Sequence, residues 1–202
     1  MSQAARIRLA DDGDAEAIAA IYRPYVEGTP ISFETVAPDG REMARRIHEN
    51  ERRYPWVVFD RNGRVGGYAY ASAHRARHAY RWSVDVSVYV DADVQRRGIG
   101  RGLYVSLLAL LTAQGFQNAF AGIALPNRAS VALHEALGFT HLGTYRRVGH
   151  KLGAWHDVGW WQLALGAHDA SPREPLDLTV LRASREWSAL IARGESSIRP
   201  PG

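Results

Sequence analysis

Residues 88–103 read Val-Tyr-Val-Asp-Ala-Asp-Val-Gln-Arg-Arg-Gly-Ile-Gly-Arg-Gly-Leu. The first three residues end an alternating run that is typical of a strand, and the last residues begin a pattern that predicts a helix. The glycines between them allow backbone N–H groups to lie close together at a helix N-terminus, where anions bind well. The arginines add positive charge around the same turn. This stretch therefore predicts a phosphate-binding loop between a strand and a helix.

The spacing of the glycines excludes two common nucleotide-binding loops. An ATP-binding P-loop needs a lysine and a hydroxyl residue after its last glycine, and this stretch has neither. A dinucleotide loop needs a third glycine where Leu103 stands, and it needs an acidic residue at a set distance further along, on a second strand. Both are missing from this sequence. The segment from Gln95 to Arg101 instead resembles the pyrophosphate loop of the GNAT superfamily of acetyl-CoA-dependent N-acetyltransferases. An ordinary basic helix cap is the alternative.

The composition predicts one folded domain. Of the 202 residues 46% are apolar, and no low-complexity linker divides them. The sequence has no apolar run of about 18 residues and no signal-peptide pattern near Met1, so we expect a cytoplasmic protein. It also has no cysteine, which excludes disulfides, thiolate metal sites and a covalent acetyl-cysteine. The net charge of +4 suits a polyanionic cofactor as well as a nucleic acid.

Hydrophobic patterns predict an α/β (α+β) domain at residues 1–166 and a partly helical C-terminal extension at 167–202. Alternation predicts a strand over 81–90, Asn62-Gly63 predicts a tight hairpin turn, and helical spacing predicts a helix over 100–114. The predicted elements follow the order of the GNAT fold, which has a mixed, mostly antiparallel central sheet flanked by helices. We expect the apolar side chains of the extension to dock on the domain or on a partner subunit.

Three further stretches narrow the resemblance. They read Thr-Pro-Ile-Ser-Phe-Glu-Thr at 29–35, Leu-His-Glu-Ala-Leu-Gly-Phe at 133–139 and Gly-Ala-Trp-His-Asp-Val-Gly at 153–159. Together they resemble the phosphinothricin N-acetyltransferase group. The resemblance implies acetyl-CoA as cosubstrate, no metal, and an amino-acid-like amine as substrate, of the phosphinothricin, methionine sulfone or methionine sulfoximine type. It also implies a homodimer, with neither nucleic acid nor membrane as a partner.

The resemblance further implies which residues hold the cofactor. The strand before the loop would offer backbone groups to the pantetheine amides and the thioester carbonyl, and the loop would hold the pyrophosphate. An asparagine between a strand and a helix would bind the pantetheine or pyrophosphate region, although helix capping alone would explain it. The expected cofactor-binding residues are Val88, Tyr89, Val90, Gln95, Arg96, Arg97, Gly98, Ile99, Gly100, Arg101 and Asn127.

Acyl transfer to an amine needs a base, because an ammonium ion has no lone pair for attack. We predict Asp85 as this base, since strands avoid aspartate without a particular reason. The phosphinothricin group carries Glu at this position, so the shorter Asp favours a water relay, and Glu34 is the reserve base. His134 stands where the group has the histidine that protonates the leaving thiolate. The alternatives are a surface strand residue for Asp85 and a helix-surface histidine for His134.

Two arginines ahead of the predicted catalytic strand suggest the substrate class. Arg75 and Arg77 lie two residues apart, so both side chains of an extended loop would point the same way and hold a carboxylate. The alternative is a pair of solvated loop charges. The side chains expected to line the rest of the substrate site are Phe33, Tyr80, Trp155 and Val158.

Two other functions stay open at the level of sequence. A domain that binds acetyl-CoA without turnover is supported only by Asp85 in place of Glu. Nucleic-acid binding is suggested by scattered arginines, but those of the helix predicted over 39–53 are expected on a solvated face, and no nucleic-acid motif accompanies them. A metal site at His150 and His156 lacks a third ligand.

Overall fold

The computed structural model of the protein describes residues 5–199. Its strands are β1 (Arg6–Leu9), β2 (Trp56–Arg61), β3 (Arg64–Ala73), β4 (Ser83–Val90), β5 (Asn118–Leu125), β6 (Thr140–Lys151) and β7 (Ala154–Ala164). They form one seven-stranded sheet in the order β1-β2-β3-β4-β5-β7-β6. Every neighbouring pair is antiparallel except β4 and β5, which are parallel. The predicted mixed, mostly antiparallel sheet is therefore confirmed.

The helices lie on both faces of this sheet. They are α1 (Ala15–Gly28), α2 (Gly40–Asn50), α3 (Ile99–Gln114), α4 (Arg128–Ala136), α5 (Leu178–Arg182) and α6 (Trp187–Ala192). Within residues 5–199, none of these helices combines the length and the apolar character that a membrane crossing requires. On one face α3 buries Leu103, Leu107 and Leu110 completely, and on the other α1 buries Ile18. Each such side chain stabilises the fold by about 1.5–3 kcal/mol.

One strand boundary differs from the prediction. β4 begins at Ser83 and not at Arg81, because a 3-10 turn at His78–Tyr80 precedes it. The Arg81 guanidinium lies 3.6 Å from the ring centre of Trp82 and binds Glu174 at 2.7 Å. These contacts hold Arg81 in a loop, outside the ladder of the sheet.

The parallel pair β4 and β5 separates soon after it begins. Pairing covers Ser83–Asp85 against Asn118–Phe120, although both strands continue for five more residues. Beyond this point, within residues 5–199, the only strand that pairs with β4 is β3, and the only strand that pairs with β5 is β7. The two strands therefore leave an open slot in the middle of the sheet.

The C-terminal extension packs against α3. Leu178 and Leu181 are buried in the main core, and the Ser106 hydroxyl on α3 donates to the Ile191 carbonyl at 2.7 Å. A Cβ added to Gly102 would meet the Gly194 carbonyl oxygen at 2.7 Å, so helix and extension approach each other through glycine. The extension therefore docks on the domain, and its leucines are part of the domain core.

Candidate active site

The slot between β4 and β5 opens into a cavity that contains several of the predicted site residues. Its walls are Ile31, Val86, Ser87, Val88, Tyr89, Tyr104, Ala121, Gly122, Ile123, Ala124, Asn127, Ser130 and His134. Asn127 caps α4, where its side-chain oxygen accepts the Ser130 N–H at 3.1 Å. The cap explains why the chain turns here from β5 into α4, and it places Asn127 at the mouth of the slot.

The glycine-rich loop ends directly at the N-terminus of α3. Gly98 has a φ of +79°, a left-handed conformation that suits glycine, and Gly102 donates the first helical hydrogen bond to the Gly98 carbonyl. The N–H groups of the helix turn before Gly102 have no helical partner. Gly100 lies next to the slot, because a Cβ there would lie 3.9 Å from Val88, which lines the slot, and 3.6 Å from Val90 and Leu133. The loop therefore presents backbone donors beside the slot, and anion binding at these donors stays a prediction.

Two of the predicted cofactor residues also make internal contacts. The Val90 carbonyl accepts the Tyr25 hydroxyl at 2.7 Å and the Gln95 amide at 3.3 Å. The Gln95 amide also donates to the Tyr25 oxygen at 3.1 Å. These bonds tie the end of β4 to α1 and fix the direction in which the loop leaves the strand.

Asp85 lies on the face of β4 that also carries Ser87 and Tyr89. Its carboxylate lies 2.7 Å from Nδ1 of His74, which directly follows β3. Burial raises the pKa of Asp85, while the hydrogen bond from His74 and the charge of Arg75 oppose this rise. Sequence reasoning missed His74, because the contact depends on the pairing of Ser72 with Asp85 across two strands.

Glu34 also lies on this face, but its carboxylate is already bound. The two terminal guanidinium nitrogens of Arg46 on α2 donate to it, at 2.8 and 3.0 Å, and the Tyr22 hydroxyl donates at 3.0 Å. The hydrogen bonds from Arg46 hold the pKa of Glu34 below its usual value. The expectation that the arginines of α2 are merely solvated is therefore wrong for Arg46.

His134 is buried at the base of the slot. Its Nδ1 lies 2.7 Å from the Ser130 carbonyl oxygen, so Nδ1 carries the proton, and Nε2 accepts the Tyr104 hydroxyl at 3.0 Å. Burial lowers the pKa of His134. The neutral ring therefore prevails near neutral pH, and His134 is a core residue with one edge on the slot.

A wider cavity of about 600 Å³ adjoins the slot on the Asp85 face of the sheet. Of the predicted substrate residues, Phe33 and Val158 line it, together with Tyr22, Glu34, Tyr89 and Trp160. The loop that carries Phe33 is held by Lys151, whose ammonium donates to the Ser32 carbonyl at 2.6 Å. This cavity can therefore hold a small molecule next to the slot.

The remaining predicted substrate residues, Arg75, Arg77, Tyr80 and Trp155, do not line this cavity. Arg75 is exposed, donates to the His74 carbonyl at 2.9 Å, and lies 5.7 Å from the Trp160 ring. Tyr80 is half-exposed, with its ring 6.0 Å from that of His74. Trp155 is 62% exposed on β7, and Arg77 is exposed at the start of the 3-10 turn.

Among residues 5–199, no group of three or more His, Asp or Glu side chains is arranged to hold a metal ion.

Comparison with known proteins covers most of the chain. Residues 7–160 match the family described as an acetyltransferase (GNAT) domain. The phosphinothricin N-acetyltransferase of Streptomyces viridochromogenes is 45% identical over 156 residues, which cover 77% of this chain and 85% of that protein. The L-methionine sulfoximine/L-methionine sulfone acetyltransferase of Salmonella typhimurium is 37% identical over 166 residues, covering 81% of this chain and 96% of that protein.

Solved structures agree with the sequence matches. A GNAT superfamily phosphinothricin acetyltransferase from Sinorhizobium meliloti, in complex with acetyl-CoA, superposes with a TM-score of 0.79 at 38% identity, over 86% of this chain and 96% of that one. A putative acetyltransferase from Salmonella typhimurium, with its cofactor acetyl-CoA, gives a TM-score of 0.80 at 34% identity, over 85% of this chain and 99% of that one. The predicted resemblance is confirmed. With its slot between β4 and β5 and its glycine-rich loop at α3, the chain belongs to the GNAT acetyltransferase family and is an acetyl-CoA-dependent N-acetyltransferase.

Proposed function

We propose that this enzyme acetylates a small amino-acid-like amine, of the phosphinothricin, methionine sulfone or methionine sulfoximine type, by direct transfer from acetyl-CoA. The observation that carries the proposal is the position of Asp85. It is the last β4 residue paired with β5, so its carboxylate lies where the slot begins, on the face that holds the wider cavity. The substrates named for the relatives support the substrate class. The absence of cysteine from the sequence favours direct transfer.

The slot and the loop fit acetyl-CoA, which supplies the acetyl group and leaves as a thiol. Backbone N–H groups at the start of α3 would hold the pyrophosphate, with Arg96, Arg97 and Arg101 around it. The β4 backbone at Val88 and Tyr89 borders the slot and would bind the pantetheine amides and the acetyl carbonyl oxygen. The other residues that we propose to bind the cofactor are the remaining predicted ones: Val90, Gln95, Gly98, Ile99, Gly100 and Asn127.

Asp85 would supply the carboxylate for base catalysis, and His134 the proton for the departing sulfur. A proton donor at Nε2 of His134 requires the imidazolium form, which burial disfavours. The acid role of His134 therefore predicts that turnover depends on a small protonated fraction.

The pair Arg75 and Arg77, which would hold the substrate carboxylate, is the part of the proposal that sets the substrate class. If Arg75 and Arg77 hold the substrate carboxylate, Arg75→Ala and Arg77→Ala should each cost about 1.5–3 kcal/mol in kcat/KM for an anionic amino-acid analogue. A neutral amine without the carboxylate should lose much less. Steady-state kinetics with both acceptors measures the difference. Equal losses for the two acceptors would remove these arginines from the site.

The overall function is tested by release of free CoA. Wild-type enzyme is incubated with acetyl-CoA and a panel of amino acids, phosphinates, sulfones and sulfoximines, with a sample lacking amine as the blank. We expect turnover with the amino-acid analogues. Binding of acetyl-CoA in calorimetry without CoA release for any amine would contradict the proposed activity and favour a binding domain without turnover.

We also propose that the enzyme forms a homodimer. Exposed apolar side chains gather on the hairpin of β6 and β7, where β6 is an edge of the sheet: Leu142, Tyr145, Val148, Leu152 and Trp155. Apolar patches of this kind are typical of subunit contacts. Light scattering after size-exclusion chromatography should give twice the mass of the chain, and Leu152→Glu should shift the equilibrium toward monomer. A wild-type monomer at assay concentration would contradict the dimer.

A further inference from the structure

His74 and Asp85 form a hydrogen-bonded pair that the sequence does not reveal. Nδ1 of His74 lies 2.7 Å from Oδ1 of Asp85, within charge-assisted hydrogen-bond distance. An ionised carboxylate only accepts hydrogen bonds, so Nδ1 must carry the proton of the neutral ring, and Nε2 carries the lone pair. Within residues 5–199, Nε2 of His74 makes no hydrogen bond. The pair therefore has an imidazole nitrogen free to accept a proton.

Aromatic contacts fix the plane of the His74 ring. It stacks on Phe120 at a centroid distance of 4.1 Å and an interplanar angle of 15°. Phe120 pairs with Asp85 across the parallel strands, and the Trp160 ring meets His74 edge-on at 6.3 Å. Trp160 lines the wider cavity, and the His74 side chain keeps 12% exposure. His74 is thus held rigidly beside Trp160, one of the residues that line the cavity, and next to the point where the slot begins.

We infer that Asp85 acts through His74: Nε2 of His74 takes the proton from the substrate ammonium, and Asp85 is a positioning residue that holds the imidazole. This inference rests on the proposed acetyl transfer. It also explains how a carboxylate one methylene shorter than glutamate can serve the reaction, because the imidazole extends its reach. An imidazole titrates closer to neutral pH than a free carboxylate and is the better matched base.

The step balances in protons and electrons. One ammonium proton passes to Nε2 of His74 and then to solvent, which leaves an amine lone pair. The lone pair forms the new C–N bond to the acetyl carbon, and the electrons of the broken C–S bond leave with sulfur. The second nitrogen proton is released as the amide forms, and the sulfur takes up one proton to become the thiol. The net products are the amide, the thiol and one proton.

The pH dependence of this pair involves few other groups. Asp85 faces His74 from β4, Tyr70 lies near Asp85 on β3, and Arg75 follows His74 in the loop. Tyr80 approaches from the 3-10 turn, while Phe120 and Trp160 are uncharged. A rise of kcat/KM with pH is therefore expected to belong to the His74–Asp85 pair as a unit.

The experiment compares His74→Asn, Asp85→Asn and the double variant with wild type, using an amine that supports CoA release. Asparagine at 74 keeps an N–H donor near the position of Nδ1 but cannot accept a proton. We expect His74→Asn to lower kcat/KM by about 10² to 10⁴, to remove its rise with pH, and to leave the KM for acetyl-CoA unchanged. The double variant should be no slower than His74→Asn alone, because the two residues act as one unit.

The control is His48→Asn. His48 also lies beside a carboxylate, 3.5 Å from Glu51, but it is exposed at the end of α2. This variant should keep wild-type kinetics. A His74→Asn enzyme within threefold of wild type that retains its pH profile, beside an inactive Asp85→Asn enzyme, would overturn the role of His74 and leave the acetyl transfer intact. A wild-type enzyme that acetylates no amine would instead refute the proposed function.

Discussion

The bidentate contact between Arg46 and Glu34 has a measurable effect on stability. Because the pKa of Glu34 is lowered in the folded protein, its contribution to stability is present above the unfolded pKa of about 4.3. This contribution is lost as the pH falls through the lower, folded pKa. We expect Glu34→Gln to reduce the free energy of unfolding at pH 7 by about 1 kcal/mol or less, because the exposed part of the pair is screened by solvent.

Urea unfolding of both proteins at pH 7 and near pH 3 measures this difference, which should shrink at the lower pH. The same variant tests the reserve base. If the His74–Asp85 pair takes the proton, Glu34→Gln keeps kcat within about tenfold of wild type. A loss of 10² or more, the usual effect of removing a general base, would identify Glu34 as the base.

A second prediction at the scale of the residue concerns His134. A general acid must be protonated, so its contribution falls as the pH rises through its pKa. Burial lowers the pKa of His134, so we expect kcat to decline from a pH below the usual imidazole value of about 6.5. His134→Gln should remove this decline and lower kcat, without a change in the KM for the amine. An unchanged pH profile of kcat in the variant would show that another group protonates the sulfur.

At the scale of the element, the glycines at the start of α3 are not equivalent. A Cβ on Gly100 has room, since its nearest neighbours lie at 3.6 Å, so the side chain of Gly100→Val would project toward the slot. A Cβ on Gly98 would instead collide with the Ser197 carbonyl oxygen, and its φ of +79° disfavours valine. We therefore expect Gly100→Val to raise the KM for acetyl-CoA strongly at nearly unchanged Tm.

Gly98→Val should mainly lower Tm, which thermal unfolding measures in parallel with steady-state kinetics. An unchanged affinity of Gly100→Val for acetyl-CoA in calorimetry would show that the loop does not hold the cofactor.

Local patterns were sufficient to predict the loop, α3 and all of β4 except its start, because alternation, glycine spacing and helical spacing each depend on neighbours in sequence. The role of His74 does not follow from such patterns. The register of β3 against β4 determines its hydrogen-bond partner, and stacking on Phe120 of β5 determines the orientation of its ring. Arg46 was misjudged for a similar reason, since the turns after α1 bring Glu34 back over α2. Contacts across elements thus limit what the sequence predicts of the site.

The extension adds to the core of the whole molecule. Leu178 is 2% exposed in α5, whereas Val180, two residues further, is 57% exposed. Truncation of a buried leucine to alanine typically costs about 2–5 kcal/mol. We expect Leu178→Ala to lower the free energy of unfolding by this amount, and Val180→Ala, as its matched control, to change it by less than about 0.5 kcal/mol. Chemical denaturation measures both, and equal effects would show that the extension does not contribute to the cooperative core.

The contact of the extension with α3 also bears on how the protein is synthesised. The Ser197 carbonyl covers Gly98, Gly194 lies against Gly102, and the Arg199 N–H donates to the Arg97 carbonyl. The ribosome makes the loop well before it makes these later residues. In a nascent chain the side of the first turn of α3 that Gly98 and Gly102 form is therefore open to solvent or to a chaperone, until residues 194–199 emerge and cover that side.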